Sequence, residues 1–128
     1  MTTLVTRCYR AAVLAALALV PLASFAHEAR PAYLEIKETA PGQFSVLWRT
    51  PMLAGMRLPL VLQMPEDVRN VKPPAVEELA DSLVERRWID AGPTGLAGKR
   101  VEISGLQLTI TDALVRVELL DGRTLQAV

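Results

Sequence analysis

Hydrophobic and polar residues alternate along much of the chain after residue 31, in short runs that proline and glycine interrupt. In "AYLEIKET" (32–39) the apolar residues alternate with charged ones, and in "FSVLWRT" (44–50) Phe44, Val46 and Trp48 share one face. A period of two is typical of a strand with one buried face, and frequent turn residues are typical of an all-β domain. The pattern predicts an antiparallel β-sandwich of seven to eight short strands.

The turn residues predict where the chain reverses. Pro41-Gly42 marks the first bend, and Asp121-Gly122 between alternating runs predicts a hairpin with a two-residue type I′ turn. Pro59 lacks an amide donor, so the third alternating run (56–64) is expected to form an edge strand or to contain a bulge. The alternating "LQLTIT" (106–111) predicts a further strand.

Residues 75–90 fit two structures. Apolar residues at helical spacing follow Pro74, whereas the second half alternates in the manner of a strand. Because β-like segments lie on both sides, we expect a strand from Leu83 to Asp90.

The first 26 residues differ in composition from the rest. Arg7 and Arg10 precede the uncharged "AAVLAALALVPLASFA" (11–26), which ends in the small-x-small triplet Ser24-Phe25-Ala26. This order predicts a secretory signal peptide over residues 1–26 that is cleaved after Ala26, leaving an extracytoplasmic domain at 27–128. The alternative is a retained membrane anchor, but the run is shorter than the roughly 20 residues that span a bilayer.

Charge and cysteine content narrow the function. With Arg7 and Arg10 removed, twelve basic residues face fourteen acidic ones, so the mature net charge is −2 and gives no reason to expect nucleic-acid binding. The single cysteine, Cys8, leaves with the signal, so neither a disulfide nor a thiol nucleophile is expected. No acid–base pair stands out by spacing, and Trp48 and Trp88 are predicted to pack in the core rather than stack on a sugar. We expect a domain that is not an enzyme.

His27 is the only histidine of the chain and the candidate metal ligand. After cleavage, its α-amino nitrogen and imidazole could chelate one Cu(II) or Ni(II) ion, with an oxygen from Glu28. The alternative is a solvated histidine at a frayed terminus, since no second histidine is present to complete the site.

Three segments, 26–51, 83–89 and 95–122, resemble the amino-terminal extracytoplasmic region of HupE/UreJ-type membrane proteins. The more specific parts are "HEARPAYL" (27–34) and "GLQLTITDALVR" (105–116), and the resemblance extends over nearly all of residues 27–128. It implies a β-rich domain outside the membrane, normally followed by a transmembrane bundle, in a family associated with nickel or cobalt uptake.

No such bundle follows Val128, so the expectation is a fragment or a stand-alone copy that cannot transport by itself. The resemblance implies an exported, membrane-associated, non-catalytic domain that assists nickel, cobalt or copper uptake. Its partner would be a membrane protein or the missing transmembrane domain. The alternative is a metal-independent protein-interaction module of a membrane protein complex, which would use a sheet edge.

Overall fold

The computed structural model describes residues 30–128, and these residues confirm the all-β class. The strands are β1 (Ala32–Ala40), β2 (Gln43–Leu53), β3 (Met56–Arg57), β4 (Val61–Gln63), β5 (Arg69–Asn70), β6 (Ala75–Glu78), β7 (Ser82–Asp90), β8 (Glu102–Ser104), β9 (Ala113–Glu118) and β10 (Thr124–Ala127), with a 3₁₀ helix at Leu106–Leu108. The predicted signal peptide lies outside the described residues. Within residues 30–128, no helix is long and apolar enough to cross a membrane.

Eight of the strands form one sheet, and the other two, β4 and β8, pair with each other. The main sheet has the order β10-β9-β1-β2-β7-β5, with β3 also paired to β2 and β6 to β7. β1 and β9 run parallel, and the other pairs are antiparallel. The sheet is therefore mixed, and the prediction of a purely antiparallel arrangement is wrong. The alternation of residues identifies a strand but is the same for either direction of pairing.

One face of the main sheet forms the hydrophobic core. Leu34 pairs with Trp48, and Ile36 with Val46, so these side chains lie side by side on that face. Each is at most 2% exposed. Leu60 and Leu62, from the β4 segment, join the same cluster from the second sheet. Phe44 is also buried, which confirms the predicted core face of β2.

β7 confirms the expected strand but places its tryptophan differently. Ile89 pairs with Phe44 on the core face, so the neighbouring Trp88 must point to the opposite face. Trp88 is half-buried there, and Lys72 Nζ lies 3.5 Å from the centroid of its ring. The prediction of core packing is confirmed for Trp48 and wrong for Trp88.

The predicted strand at 106–111 is wrong. Gly105 has φ +95°, and the chain turns into the 3₁₀ helix directly after it. A Cβ at this position would overlap the carbonyl oxygen of Pro59, so glycine permits both the turn and the close approach. In a strand Leu108 and Ile110 would share one apolar face, but they are 74% and 87% exposed.

The predicted turns are present with one change. Gly42 has φ +72° in the bend between β1 and β2, which confirms the first turn. At the second, Gly122 N donates to Leu119 O at 3.0 Å, and Gly122, but not Asp121, has a positive φ. A type I′ turn needs positive φ at both central residues, so the prediction of a two-residue type I′ turn is wrong. The hairpin has a three-residue loop instead, of the type that ends in a left-handed glycine.

Candidate binding groove

The core is open on the side of β9 and β10. There the apolar face of the sheet and the segment 94–106 enclose a cavity of about 740 Å³ that reaches the surface, which we call the open groove. Its floor includes Val115, Val117 and Leu125, and its other wall includes Leu96 and Ile103. The volume lies within the range of sites that hold small apolar ligands or several side chains of a peptide.

β10 borders the open groove and is the outermost strand on this side of the sheet. Its residues are all exposed, and Leu125 is 61% exposed. The two apolar side chains that face the groove, Leu125 and Ala127, pair with Val117 and Val115. An outermost strand with apolar side chains and an unpaired backbone edge is a template for an added strand.

The backbone pattern shows which groups of β10 face this free edge. Leu119 N donates to Arg123 O at 2.9 Å, which makes these two residues a hydrogen-bonded pair. Such pairs alternate along an antiparallel ladder. The backbone polar groups of Leu125 therefore point toward β9, whereas those of Thr124 and Gln126 point toward the free edge.

The polar residues at the rim of the groove have partners within residues 30–128. Glu38 accepts hydrogen bonds from the amides of Leu120 (3.1 Å) and Gly42 (3.4 Å). Arg123 Nε lies 2.7 Å from the Asp121 carboxylate, and Lys99 Nζ donates to Ala91 O at 2.8 Å.

Lys99 also binds the exposed carboxylate of Asp67 at 2.6 Å. This hydrogen bond is the main reason why the pKa of Asp67 is lowered below its ordinary value. These contacts hold the polar side chains of the rim in place, and the floor and walls of the groove are mostly apolar.

The residues predicted as metal ligands, His27 and Glu28, lie outside the described residues. Within residues 30–128, no three His, Cys, Asp or Glu residues are grouped so that they could hold an ion. The structure therefore neither brings the candidate ligands together nor separates them, and the metal site stays a prediction.

Comparison of the chain with models of protein families, with curated proteins and with solved structures found no match. The HupE/UreJ resemblance therefore rests on the residues quoted above and stays a prediction.

Sequence reasoning did not anticipate the open groove. Alternation in "LVRVELL" (114–120) and "TLQAV" (124–128) does indicate one apolar face on each strand. It does not indicate whether another segment covers that face, because the segment that lies over it, 94–106, is not a neighbour of these residues along the chain.

Proposed function

We propose that this chain is an exported, non-catalytic protein-interaction module of a membrane protein complex. The observation that carries the proposal is the open groove beside the free edge of β10. A partner strand pairing with that edge would gain backbone hydrogen bonds, and its alternate side chains would enter the groove. Export rests on the predicted signal peptide, and the membrane complex rests on the HupE/UreJ resemblance.

We favour a partner strand over a small ligand because the open groove and the free edge of β10 lie side by side. An enclosed ligand site would not need an outermost strand whose backbone groups, at Thr124 and Gln126, face outward. We also propose that the main sheet and the β4–β8 pair form the two layers of a β-sandwich. The shared cluster of Trp48, Leu60 and Leu62 supports this.

Site-specific photocrosslinking in cells that export the full chain tests the proposal. A photoreactive residue at Leu125 is compared with one at Val71, which is equally exposed (61% and 60%) and follows β5 at the opposite edge of the sheet. We expect an adduct with a membrane protein from position 125 and none from position 71. Equal adducts from both positions, or none from 125, would contradict the proposal.

A proline tests the strand-pairing part of the proposal. Gln126→Pro removes an amide that faces the free edge without removing a bond to β9, so the adduct should be lost. Gln126→Ala is the matched control and should retain it. Retention of the adduct in both variants would mean that the groove, and not the strand edge, binds the partner.

Metal capture is the second candidate function. It rests on the family resemblance and on His27, which would become the first residue after cleavage behind Ala26. The proposal is that His27, with Glu28, holds Ni(II) or Cu(II) for uptake by a membrane partner. Calorimetric titration of the processed protein with each ion should show binding that His27→Ala abolishes, and equal binding by the variant would refute it. If the adduct from position 125 forms equally well in the His27→Ala variant, the metal-independent function is favoured.

A further inference from the structure

Apolar side chains are exposed on loops at one end of the main sheet. Leu53 and Met56, at the tip of the β2–β3 hairpin, are 59% and 71% exposed, and Leu108 and Ile110 are exposed still further. Leu53, Leu108 and Ile110 line one shallow cavity of about 490 Å³ together with Arg30. We call the surface formed by Leu53, Met56, Leu108 and Ile110 the apolar end.

The two loops lie at the same end because the sheet ties them to the start of β1. Thr111 Oγ1 donates to Arg30 O at 2.9 Å, and Ala32 N donates to Asp112 O at 2.8 Å, which joins the 106–112 segment to β1. Met52 N donates to Asp81 O at 2.9 Å, and the Asp81 carboxylate pairs with Arg30. These contacts hold the β2–β3 hairpin beside Arg30, the residue that Thr111 also contacts.

The hairpin tip itself favours an apolar environment. Ala54 has φ +51° and is the only non-glycine with a positive φ in residues 30–128, and Gly55 follows it with φ +74°. The segment 51–56 carries no charge and no polar side chain. A turn exposed to water usually contains Asn, Asp or Ser, which can bond its backbone, and here those residues are absent.

The opposite end of the sheet is polar. Its turns contain Asp121 and Arg123, which pair with each other, and Asp90, which accepts a hydrogen bond from Gly92 N at 2.8 Å. Leu120 is exposed there too (53%), but charged residues surround it. Val71 is exposed near this end as well (60%), but at the other end exposed apolar residues of two separate loops line one cavity.

The length of chain before the described residues indicates what covers the apolar end. The uncharged segment 11–26 ends at Ala26, and four residue steps lead from Ala26 to Arg30. Four extended residues span at most about 14 Å. Before the predicted cleavage after Ala26, while segment 11–26 is in the membrane, Arg30 is within about 14 Å of its end, and the apolar end is thereby brought to the bilayer.

We infer that the apolar end is a membrane-contact surface, and that Leu53, Met56, Leu108 and Ile110 insert into the interfacial region of a lipid bilayer. Arg30 pairs with Asp81, whereas Arg57, next to Met56, is exposed, so attachment combines apolar burial with the attraction of Arg57 to anionic headgroups. The inference requires an exported domain, as does the proposed function, but it concerns a different surface from the open groove. With the apolar end on the membrane, strands β1 and β9 run away from the bilayer, and β10 runs back toward it.

Depth-dependent quenching tests the inference. The full chain is purified from an exporting host, as the host processes it, with Cys8→Ser and a single new cysteine for an environment-sensitive fluorophore. Ile110→Cys places the label at the apolar end, and Leu120→Cys is the control at the polar end. The probe is a vesicle of phosphatidylethanolamine and phosphatidylglycerol that contains a doxyl-labelled lipid.

We expect a blue shift and about tenfold stronger quenching at position 110 than at position 120. Equal quenching at both positions, or none at 110, would overturn the inference. Quenching at 110 in native membranes but not in lipid vesicles would also overturn it, because the contact would then be a membrane protein.

Two aspartate variants separate this inference from the proposed function. Leu108→Asp should reduce the quenching at position 110 severalfold and leave crosslinking from position 125 intact. Leu125→Asp, an equally drastic change in the open groove, should leave the quenching intact. Loss of quenching in both variants would indicate general unfolding, which circular dichroism would detect, and equal quenching in Leu108→Asp and the parent would refute the inference.

Discussion

The apolar face of the main sheet has a covered half, over β1 and β2, and an open half, over β9 and β10. In the covered half, Trp48 is 2% exposed and packs in one cluster with Leu60 and Leu62. In the open half, Val115 and Val117 are only partly buried, and Leu125 is 61% exposed. The same alternation of residues therefore produces a core in one half and a surface in the other.

The difference between the two halves comes from the segments that pack against the sheet. Within residues 30–128 the second sheet has only two strands, β4 and β8, of three residues each, against eight strands in the main sheet. The loop 94–99 and the 3₁₀ helix extend this layer only as far as the walls of the open groove. Stability should thus be concentrated in the covered half, and the open half should be free to bind.

The largest expected effect is a truncation in the covered half. Trp48→Ala should lower the free energy of unfolding by about 3–5 kcal/mol, because it removes a large buried side chain and leaves a cavity. Leu125→Ala, in the open half, should lower it by less than about 0.5 kcal/mol. Urea denaturation of both variants measures the contrast, and similar losses would mean that the open half is as tightly packed as the core.

A glycine after β8, where that strand approaches the start of β4, gives the next largest effect. Gly105→Ala should cost about 2–4 kcal/mol, since its Cβ would overlap Pro59 O and its φ of +95° is strained for alanine. Gly122 also has a positive φ (+86°), but no atom lies within 4 Å of its added Cβ, so Gly122→Ala should cost only about 1 kcal/mol. Equal costs in thermal unfolding would show that backbone strain alone decides both.

Thr50 is a position in the covered half where a substitution should raise the free energy of unfolding instead of lowering it. It is 1% exposed, and its hydroxyl has no hydrogen-bond partner among residues 30–128. Thr50→Val keeps the shape of the side chain and removes an unpaired buried polar group, so it should stabilise the protein by about 1 kcal/mol. Thr124→Val, on an exposed residue of β10, is the control and should change little. A loss of stability in Thr50→Val would show that the hydroxyl is bonded.

The smallest effect concerns the rim of the groove. In an NMR titration the carboxyl of Asp67 should titrate below its ordinary pKa of 3.8, and Lys99→Met should raise that pKa again. The lowered pKa of Asp67 means that its contribution to stability is present above its unfolded pKa and declines as the pH falls through the folded one. Asp121, whose pKa is lowered by the Arg123 amide and side chain, should not respond to Lys99→Met. If the pKa of Asp67 is also unchanged in Lys99→Met, Lys99 is not the partner of Asp67.

Much of the covered half could be predicted from the sequence, because local alternation determines it. The core face of β2 and the bend at Pro41-Gly42 follow from neighbouring residues alone, whereas the strand from Leu83 to Asp90 was expected from the β-like segments on both sides of it. Trp88 was misplaced because either face of β7 could have been the buried one, and only the pairing of Ile89 with Phe44 decides it.

The open half could not be predicted in the same way, because distant residues determine it. The pairing of β1 with β9 joins Ala32 to Ala113, and the turn at Gly105 depends on the approach of Pro59. Neither relation leaves a periodic signal in the sequence. The candidate ligands His27 and Glu28 lie outside the described residues, and their role stays a prediction.

The parallel pairing of β1 and β9 also has a consequence for the order of folding. β1 can pair with β2 as soon as the Pro41-Gly42 bend forms, but its other edge waits for a strand that is synthesised about 80 residues later. Contacts of such long separation are slow to form, and an unpaired central strand is prone to join a strand of another chain. The emerging chain must therefore keep the outer edge of β1 from intermolecular pairing until its last strands arrive, and a shortened chain without β9 and β10 should aggregate.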